Sequence, residues 1–307
     1  MTIDPVTDQV TVPDTGPAPT ILIFDSGLGG LTVFAQVRKA RPDARLVYAA
    51  DDAGFPYGRL AEDVLVERVL TVMKRLIAIH APALVVIACN TASTLVLPHL
   101  RARFAVPFVG TVPAIKPAAA LSFSKRITVL ATPGTVARDY TRDLIATHAS
   151  DCRVNLVGSQ SLAAFAEAEL SGTRVADSDI LAELAPCFVV DAGGRTDVVA
   201  LSCTHYPLLL PRFKSLAPWP AMWIDPAPAI GRRVAQLMGP SVREPAAAGD
   251  AALAVFTDGA GLGRPLRAAL AERGLPTIVV DAIPLYRDGE ARRTRNGRTN
   301  PAVRAPA

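Results

Sequence analysis

The sequence contains no apolar run long enough to cross a membrane. Its most apolar stretches, such as residues 21–24 and 84–88, are far shorter than the roughly 18 consecutive apolar residues that a membrane-spanning helix needs. Residues 1–19 hold three aspartates, four prolines and no lysine or arginine, whereas a signal peptide begins with basic residues. We therefore expect a cytoplasmic protein with no membrane segment and with a disordered arm over residues 1–19.

Cysteine is scarce, with 4 residues in a chain of 307, and no two of them are close neighbours. A chain of this length can bury a large core, so this pattern argues against a disulfide framework. Metal-site spacings such as C-x-x-C and H-x-x-x-H are also missing. Cys203-Thr204-His205 offers two types of metal ligand, but a zinc site generally takes three or four protein ligands. We therefore expect no metal.

The two common nucleotide-binding motifs are absent. Gly27-Leu28-Gly29-Gly30 follows an apolar run, but the dinucleotide fingerprint G-x-G-x-x-G would require glycine at position 32, where the chain has Thr32. No G-x-x-x-x-G-K-[ST] sequence occurs either. We expect these glycines to let backbone N–H groups approach a small anion at a helix N-terminus.

The excess of positive charge lies at one end of the chain. Residues 287–307 contain six arginines against Asp288 and Glu290, a net charge of +4 that equals the net charge of the whole chain. The remaining residues are therefore neutral overall, which argues against a basic nucleic-acid-binding fold. Two interpretations of this Arg-rich tail stay open: a disordered, solvated segment, or a weak, salt-sensitive attachment to an acidic partner.

Short apolar runs typical of buried strands alternate with helical patterns along the whole chain. One such helix is predicted over residues 61–80, where Leu65, Val69, Val72 and Leu76 recur at helical spacing. This alternation indicates the α/β class, with parallel sheets covered by helices on both faces. The predicted strands cover residues 21–25, 46–50, 84–88, 127–131, 154–157, 198–201, 222–225, 253–257 and 277–280.

The two halves of the chain share a weak internal similarity. Residues 21–27 and 127–134 both pass from a predicted strand into a polar turn with glycine, and each is later followed by a cysteine motif. Proline-rich sequence near residues 110–117 and 225–228 suggests two crossings between domains. We predict a first domain over residues 20–110 and 226–286, and a second over residues 111–225.

Two of the four cysteines end apolar runs and are followed by polar residues. Cys89 precedes Asn90 and Thr91, and Cys203 precedes Thr204 and His205. Ligands of α/β proteins bind at the carboxyl ends of such strands. If a helix begins at each cysteine, its N–H groups would favour the thiolate.

The polar neighbours of these cysteines fit an amino-acid ligand. Asn90, Thr91 and Thr204 offer amide and hydroxyl groups, while Asp25 and His205 can accept or relay protons. Two thiols facing one carbon could remove a proton from one side and return it to the other. Cys152 and Cys187 lack such neighbours, so we expect them to be packing residues.

Six motifs occur in the order found in one known family, between residues 20 and 238. They are Phe24-Asp25-Ser26-Gly27-Leu28-Gly29-Gly30, Phe55-Pro56-Tyr57-Gly58, Ala88-Cys89-Asn90-Thr91-Ala92-Ser93, Gly110-Thr111-Val112-Pro113-Ala114-Ile115-Lys116-Pro117, Ala131-Thr132 and Leu201-Ser202-Cys203-Thr204-His205-Tyr206-Pro207. The chain resembles the cofactor-independent glutamate racemases of the aspartate/glutamate racemase superfamily. Ser202 stands where a glycine is usual, and Gly158-Ser159 resembles the form of a proteobacterial subgroup.

The resemblance implies two α/β domains related by pseudo-twofold symmetry, with glutamate at their interface and no cofactor. By this resemblance Cys89 removes the α-proton of D-glutamate and Cys203 that of L-glutamate. Asp25 assists Cys89, His205 assists Cys203, and Glu167 orients the histidine. The D-glutamate would serve peptidoglycan synthesis. The residues that match substrate contacts of the family are Asp25, Ser26, Pro56, Tyr57, Gly58, Asn90, Thr91, Thr132 and Thr204, and Asp51 matches a recurrent acidic position.

The resemblance also suggests partners. In its subgroup UDP-N-acetylmuramoyl-L-alanine activates some members, and Lys116 is a candidate for binding its phosphates. Some glutamate racemases inhibit DNA gyrase, which the Arg-rich tail could contact. Aspartate or another small carboxylate as substrate, and a non-catalytic amino-acid-binding protein, stay open as alternatives. Whether the protein is a monomer or a homodimer does not follow from the sequence.

Overall fold

The structure, a computed structural model, describes residues 17–240 and 252–285. Most of the predicted N-terminal arm and the whole Arg-rich tail lie outside the described residues. In the described part of the chain, no helix is both long and apolar enough to cross a membrane.

Strands and helices alternate through the chain. The strands are β1 (Thr20–Asp25), β2 (Arg45–Ala50), β3 (Leu84–Ile87), β4 (Phe108–Gly110), β5 (Arg126–Ala131), β6 (Arg153–Gly158), β7 (Val190–Asp191), β8 (Gly194–Arg195), β9 (Val198–Ser202), β10 (Met222–Ile224), β11 (Ala252–Phe256) and β12 (Thr277–Val280). The helices are α1 (Leu31–Ala40), α2 (Glu62–His80), α3 (Asn90–Arg103), α4 (Ile115–Leu121), α5 (Pro133–Val136), α6 (Asp139–His148), α7 (Leu162–Leu170), α8 (Asp177–Leu184), α9 (Leu210–Leu216), α10 (Ala227–Met238) and α11 (Arg264–Glu272).

Two parallel sheets organise these elements. The larger has the strand order β12-β11-β2-β1-β3-β4, and the smaller has the order β10-β9-β5-β6. We call the larger sheet, with the helices packed on it, the first lobe, and the smaller sheet, with its helices, the second lobe. After β10 the chain returns to the first lobe, because β11 pairs with β2. The α/β class with parallel sheets is therefore confirmed, while the exact domain bounds stay a prediction.

Both faces of each sheet are covered. In β1, Ile21 and Ile23 belong to one core cluster, whereas Leu22 and Phe24 belong to the cluster on the opposite face. Alternate residues of a strand point to opposite faces, so a strand that is buried on both faces must be apolar throughout. The same holds for β9, with Val199 and Leu201 on one face and Val198 and Ala200 on the other.

All nine predicted strands form, and each predicted end lies within one residue of the observed end. The prediction omitted β4, which has three residues and directly follows Pro107, and the antiparallel pair of β7 and β8, which have two residues each. These strands are too short to show a periodic pattern. The helix predicted over 61–80 is α2.

Candidate active site

The carboxyl ends of the strands from both sheets meet at one interface between the lobes. Asp25 is the last residue of β1, and its Oδ1 lies 3.3 Å from the hydroxyl of Thr204, which follows β9 in the other lobe. A second contact joins the hydroxyls of Thr91 and Thr132, which lie 3.0 Å apart. Residues from the two cysteine motifs therefore line one common site.

Cys89 is buried in the first-lobe part of this site. It is the N-cap residue of α3, and its Sγ accepts a hydrogen bond from the hydroxyl of Ser26 at 3.6 Å. Burial and the negative charge of Asp25 nevertheless raise the pKa of Cys89 to about 12, although the N–H of Ala92 and the Ser26 hydroxyl act in the opposite direction. The helix start does favour the thiolate, through the N–H of Ala92, but desolvation and the charge of Asp25 outweigh this effect.

The carboxyl group of Asp25 is fully buried beside Cys89. Its Oδ2 accepts hydrogen bonds from the N–H groups of Gly30 and Gly27, at 3.0 and 3.4 Å. Burial raises the pKa of Asp25, and the charge of His205 and these N–H groups lower it only in part. Two N–H groups of the glycine-rich turn thus bind a carboxyl group of the protein itself, and the expected binding of a small anion at this turn stays a prediction.

Cys203 and His205 form the second-lobe part of the site. The Sγ of Cys203 lies 3.7 Å from Nδ1 of His205, and Nε2 of that ring lies 2.8 Å from Oε1 of Glu167. Burial alone would lower the pKa of His205, but its hydrogen bonds to Cys203 and Glu167 raise it well above the usual value. The same Glu167 oxygen accepts a hydrogen bond from the N–H of Leu28 in the first lobe, at 2.6 Å.

Cys203 does not stand at the start of an α-helix, contrary to the expectation from the sequence. A 3-10 turn, Tyr206–Leu209, comes first, and α9 begins only at Leu210. A continuous helix would place Pro211 in its interior, where the proline ring clashes with the carbonyl group of the residue four positions earlier. The polar neighbour of this thiol is therefore the imidazole of His205 rather than a helix terminus.

The glycines of the turn after β1 allow the two lobes to approach closely. A Cβ atom on Gly29 would lie 2.5 Å from Nδ1 of His205, and one on Gly27 would lie 2.3 Å from Oε1 of Glu167. Any larger side chain at either position would displace these acid/base groups.

Asn90 carries an amide group with unmet hydrogen bonds. The residue is 2% exposed, yet neither its Nδ2 nor its Oδ1 has a partner among the described residues. A buried polar group without a partner costs free energy, so such a group next to Cys89 indicates a place for a polar ligand.

The remaining predicted contacts lie on two segments beside the site. Gly58 approaches Thr132 across the interface, and it belongs to the turn that follows Pro56. The buried hydroxyl of Tyr57 donates a hydrogen bond to Asp51 at 2.5 Å. Asp51 also forms a buried ion pair with Arg68, which the sequence analysis missed. The sequence signal for this ion pair was the position of Arg68 on the apolar stripe of α2.

Three other residues lie away from this constellation. Lys116 is exposed near the start of α4. Cys187 is buried in the apolar core of the second lobe, where burial raises its pKa to about 12. Cys152 packs at the edge of the other second-lobe cluster. Within residues 17–240 and 252–285, no three His, Cys, Asp or Glu side chains are grouped as metal ligands.

Each of the two α/β lobes presents a cysteine beside a titratable side chain at a shared polar interface, Asp25 near Cys89 and His205 near Cys203. The family model of the Asp/Glu/Hydantoin racemases matches residues 32–234, and the chain belongs to this family.

Relatives and solved structures agree with this assignment. The chain is 56% identical over 221 residues to a glutamate racemase of Brucella anthropi, covering 72% of this chain and 80% of the relative. It is 54% identical over 227 residues to the glutamate racemase of Brucella canis, covering 74% and 82%. Escherichia coli glutamate racemase, solved with L-glutamate and the activator UDP-MurNAc-Ala, is 39% identical with a TM-score of 0.79, covering 87% of this chain and 99% of that chain.

Proposed function

We propose that this protein interconverts L- and D-glutamate by transferring protons between the substrate and two thiols, without a cofactor. The observation that carries the proposal is the convergence of Cys89 and Cys203, from different lobes, on one buried polar site beside the unpartnered amide of Asn90. The two thiols are close enough that negative charge on Cys203 raises the pKa of Cys89. Relatives named glutamate racemase support glutamate as the substrate.

In this mechanism one thiol acts as a base and the other as an acid. Starting from L-glutamate, Cys203 removes the α-proton, with its charge balanced by the imidazolium of His205. Cys89 then delivers its proton to the opposite face of the α-carbon. Asp25 lies beside Cys89, where its carboxyl group can relay a proton. The reverse reaction exchanges these roles. Two side chains hold the histidine in place, because Glu167 accepts a hydrogen bond from Nε2 and the sulfur of Cys203 faces Nδ1.

Substrate binding in this proposal uses residues at the lobe interface. The amide of Asn90 and the hydroxyls of Ser26, Thr91, Thr132 and Thr204 supply hydrogen bonds to the amino and carboxylate groups. The turn 56–58 contributes Pro56, Tyr57 and Gly58. Closure of the lobes excludes water and strengthens these electrostatic contacts. D-glutamate formed in this way would supply peptidoglycan synthesis.

We also propose an activator, a partner for the Arg-rich tail and a cellular location. The E. coli neighbour binds UDP-MurNAc-Ala as an activator, and we propose the same compound here, with the exposed Lys116 as a contact for its phosphates. The Arg-rich tail, which lies outside the described residues, is proposed to bind an acidic partner such as gyrase. A cytoplasmic location is proposed for the reaction.

The direct test measures racemisation of glutamate, and α-deuterium incorporation in D₂O, in single variants. Cys89→Ser and Cys203→Ser should each lose racemisation by at least about 10³-fold, because a serine hydroxyl is a far weaker acid and base at neutral pH. Cys152→Ser is the matched control and should keep wild-type rates. Retained racemisation in both active-site variants would contradict the mechanism, and turnover of aspartate instead of glutamate would reassign the substrate.

A further inference from the structure

A buried group of hydrogen bonds surrounds the carboxylate of Asp51, at the end of β2. It accepts hydrogen bonds from the hydroxyl of Tyr57 at 2.5 Å and from the hydroxyl of Thr257 at 2.7 Å. The guanidinium of Arg68 binds both of its oxygens, with Nε 2.9 Å from Oδ2 and Nη2 against Oδ1. No solvent reaches Asp51, so the ion pair with Arg68 balances its charge inside the protein.

Arg68 joins this group to the segment that follows β12. Its Nη2 donates a hydrogen bond to the carbonyl of Ile283 at 2.6 Å, and its Nη1 donates one to the carbonyl of Pro284 at 2.9 Å. The side chain is 3% exposed and comes from the apolar stripe of α2. One guanidinium therefore connects the end of β2, helix α2 and residues 281–285.

Tyr57 connects the same group to the candidate active site. Its ring is buried against Phe24 of β1, and the next residue, Gly58, approaches Thr132 of the other lobe. The Tyr57 hydroxyl has Asp51 as its partner, and a buried hydroxyl without a partner would be costly. The position of the turn 56–58 thus depends on the Asp51 carboxylate, whose own position depends on Arg68.

We infer that Arg68 and Asp51 are positioning residues that hold the turn 56–58 against the substrate, and that Ile283 and Pro284 form part of this support. The inference rests on the proposed function, in which this turn contacts glutamate. The reaction needs Arg68 although its guanidinium touches no reacting atom. Losing it should weaken binding of glutamate more than it slows the proton transfers.

The chain offers a matched control in Arg75. It also lies on α2 and also pairs with the segment after β12, through both oxygens of Asp281, but its side chain is 55% exposed and its hydrogen bonds go to Asp281 rather than to Asp51. Arg68→Met and Arg75→Met therefore each remove one link between the same helix and the same segment. Only the first also removes the partner of Asp51.

The experiment compares the kinetics of glutamate racemisation in these two variants. Arg68→Met should raise KM between about 10-fold and 100-fold with a smaller fall in kcat, because a misplaced turn loses contacts made in both ground and transition states. Arg75→Met should stay within about 2-fold of wild type, as expected for an exposed ion pair. Arg68→Lys should recover only part of the loss, since an ammonium group cannot reproduce the planar set of contacts.

A second variant keeps the test informative if Arg68→Met does not fold. Tyr57→Phe keeps the ion pair and removes only the hydroxyl, and it should raise KM in the same direction. In a folded double variant the two effects should not add, because both act through one hydrogen-bonded group.

Amide hydrogen exchange supplies a readout that needs no activity. Amides of residues 52–60 should exchange faster in Arg68→Met, or in Arg68→Lys if the former is unfolded, and should match wild type in Arg75→Met. Unchanged KM and unchanged exchange in the Arg68 variants would overturn the inference, as would equal effects in the Arg68 and Arg75 variants. A wild-type protein that fails to racemise glutamate would instead contradict the proposed function, and hydrogen exchange would still decide whether Arg68 supports the turn.

Discussion

The two lobes present their cysteines in opposite electrostatic surroundings. Cys89 lies next to the carboxyl of Asp25, and burial together with that negative charge raises its pKa to about 12. Cys203 lies next to His205, whose pKa is raised well above its usual value by Cys203 and Glu167. The lobes supply similar thiols at one interface, but one thiol has an acidic neighbour and the other a basic one. Similar placement of the two thiols therefore does not imply similar electrostatic surroundings.

This difference assigns a resting role to each thiol in the proposed mechanism. At pH 7 the thiolate of Cys89 would cost about 7 kcal/mol in these surroundings, so Cys89 rests as an acid. The charges of a Cys203 thiolate and of Glu167 both favour imidazolium at His205, which suits a base on that side. In the proposed mechanism, a protonated Cys89 is the acid that racemisation of L-glutamate requires. Acceptance of D-glutamate requires transfer of a proton away from Cys89.

The largest expected effects come from substituting Asp25 and His205, the neighbours that give the two thiols different electrostatic surroundings. Asp25→Asn and His205→Asn should each lower kcat/KM by about 10²- to 10⁴-fold, the usual contribution of an acid/base group. Because the equilibrium constant of a racemisation is one, kcat/KM must fall equally in both directions. The α-deuterium isotope effect should separate the variants: it should grow for L-glutamate in His205→Asn and for D-glutamate in Asp25→Asn.

Isotope effects that change by the same amount for both enantiomers would contradict this assignment of Asp25 to Cys89 and of His205 to Cys203, since each neighbour would then serve both thiols. Cys152→Ser, at the edge of the second-lobe core, should leave both isotope effects at their wild-type values.

A smaller effect should follow from neutralising Glu167. Glu167→Gln keeps an oxygen that can accept the N–H of Leu28 but removes the charge, so the pKa of His205 should fall. Because the folded pKa of His205 is raised, its contribution to stability is complete below pH of about 6.5 and is lost as the pH rises through the folded value. At acidic pH His205 is an imidazolium, and its hydrogen bond to the Glu167 carboxylate contributes most to stability. The variant should therefore lose about 1–2 kcal/mol of unfolding free energy at acidic pH.

Urea unfolding of Glu167→Gln and wild type at pH 6 and pH 9 measures this difference. A loss that is greater at pH 9 than at pH 6 would show that the histidine is not the group responsible. Racemisation should fall less than in His205→Asn, because the imidazole itself is kept.

The smallest effect is expected from an ion pair that joins the lobes outside the site. Arg138 pairs with Glu62, whose side chain is 69% exposed. Glu62→Gln should change the free energy of unfolding by about 1 kcal/mol or less, because the Glu62 carboxylate is largely solvated while Arg138 is 13% exposed. It should also leave the two isotope effects as in wild type. A direction-dependent isotope effect in this variant would mean that lobe closure, rather than the neighbours of the thiols, creates the difference.

Local sequence pattern predicted the strands but could not predict which side chains meet between lobes. The apolar runs that became β1 and β9 are visible because strands buried on both faces must be apolar throughout. The contact of Thr204 with Asp25 joins residues 179 positions apart, and Leu28 with Glu167 joins residues 139 apart, so no local pattern carries them. The resemblance implies the shared interface of Asp25, Thr204 and Glu167, whereas the contact of Leu28 was not predicted.

One error in the sequence analysis had a physical cause. It expected a helix to begin at Cys203, but a 3-10 turn comes first and α9 begins only at Leu210. At Cys89 the helix start lowers the pKa of the thiol as expected, but burial and Asp25 dominate there. Arg68 stands out in the sequence as a charged residue among the apolar residues Leu65, Val69 and Val72. Its partner, Asp51, follows strand β2, so the local pattern of α2 could not predict the ion pair.

A crystal structure of the protein with bound glutamate tests the central claim most directly. We expect the Sγ atoms of Cys89 and Cys203 to lie on opposite sides of the substrate α-carbon, each within about 4 Å, close to the spacing of reacting atoms. Glutamate seated against only one of the two sulfur atoms, with the other facing a separate cavity, would contradict it.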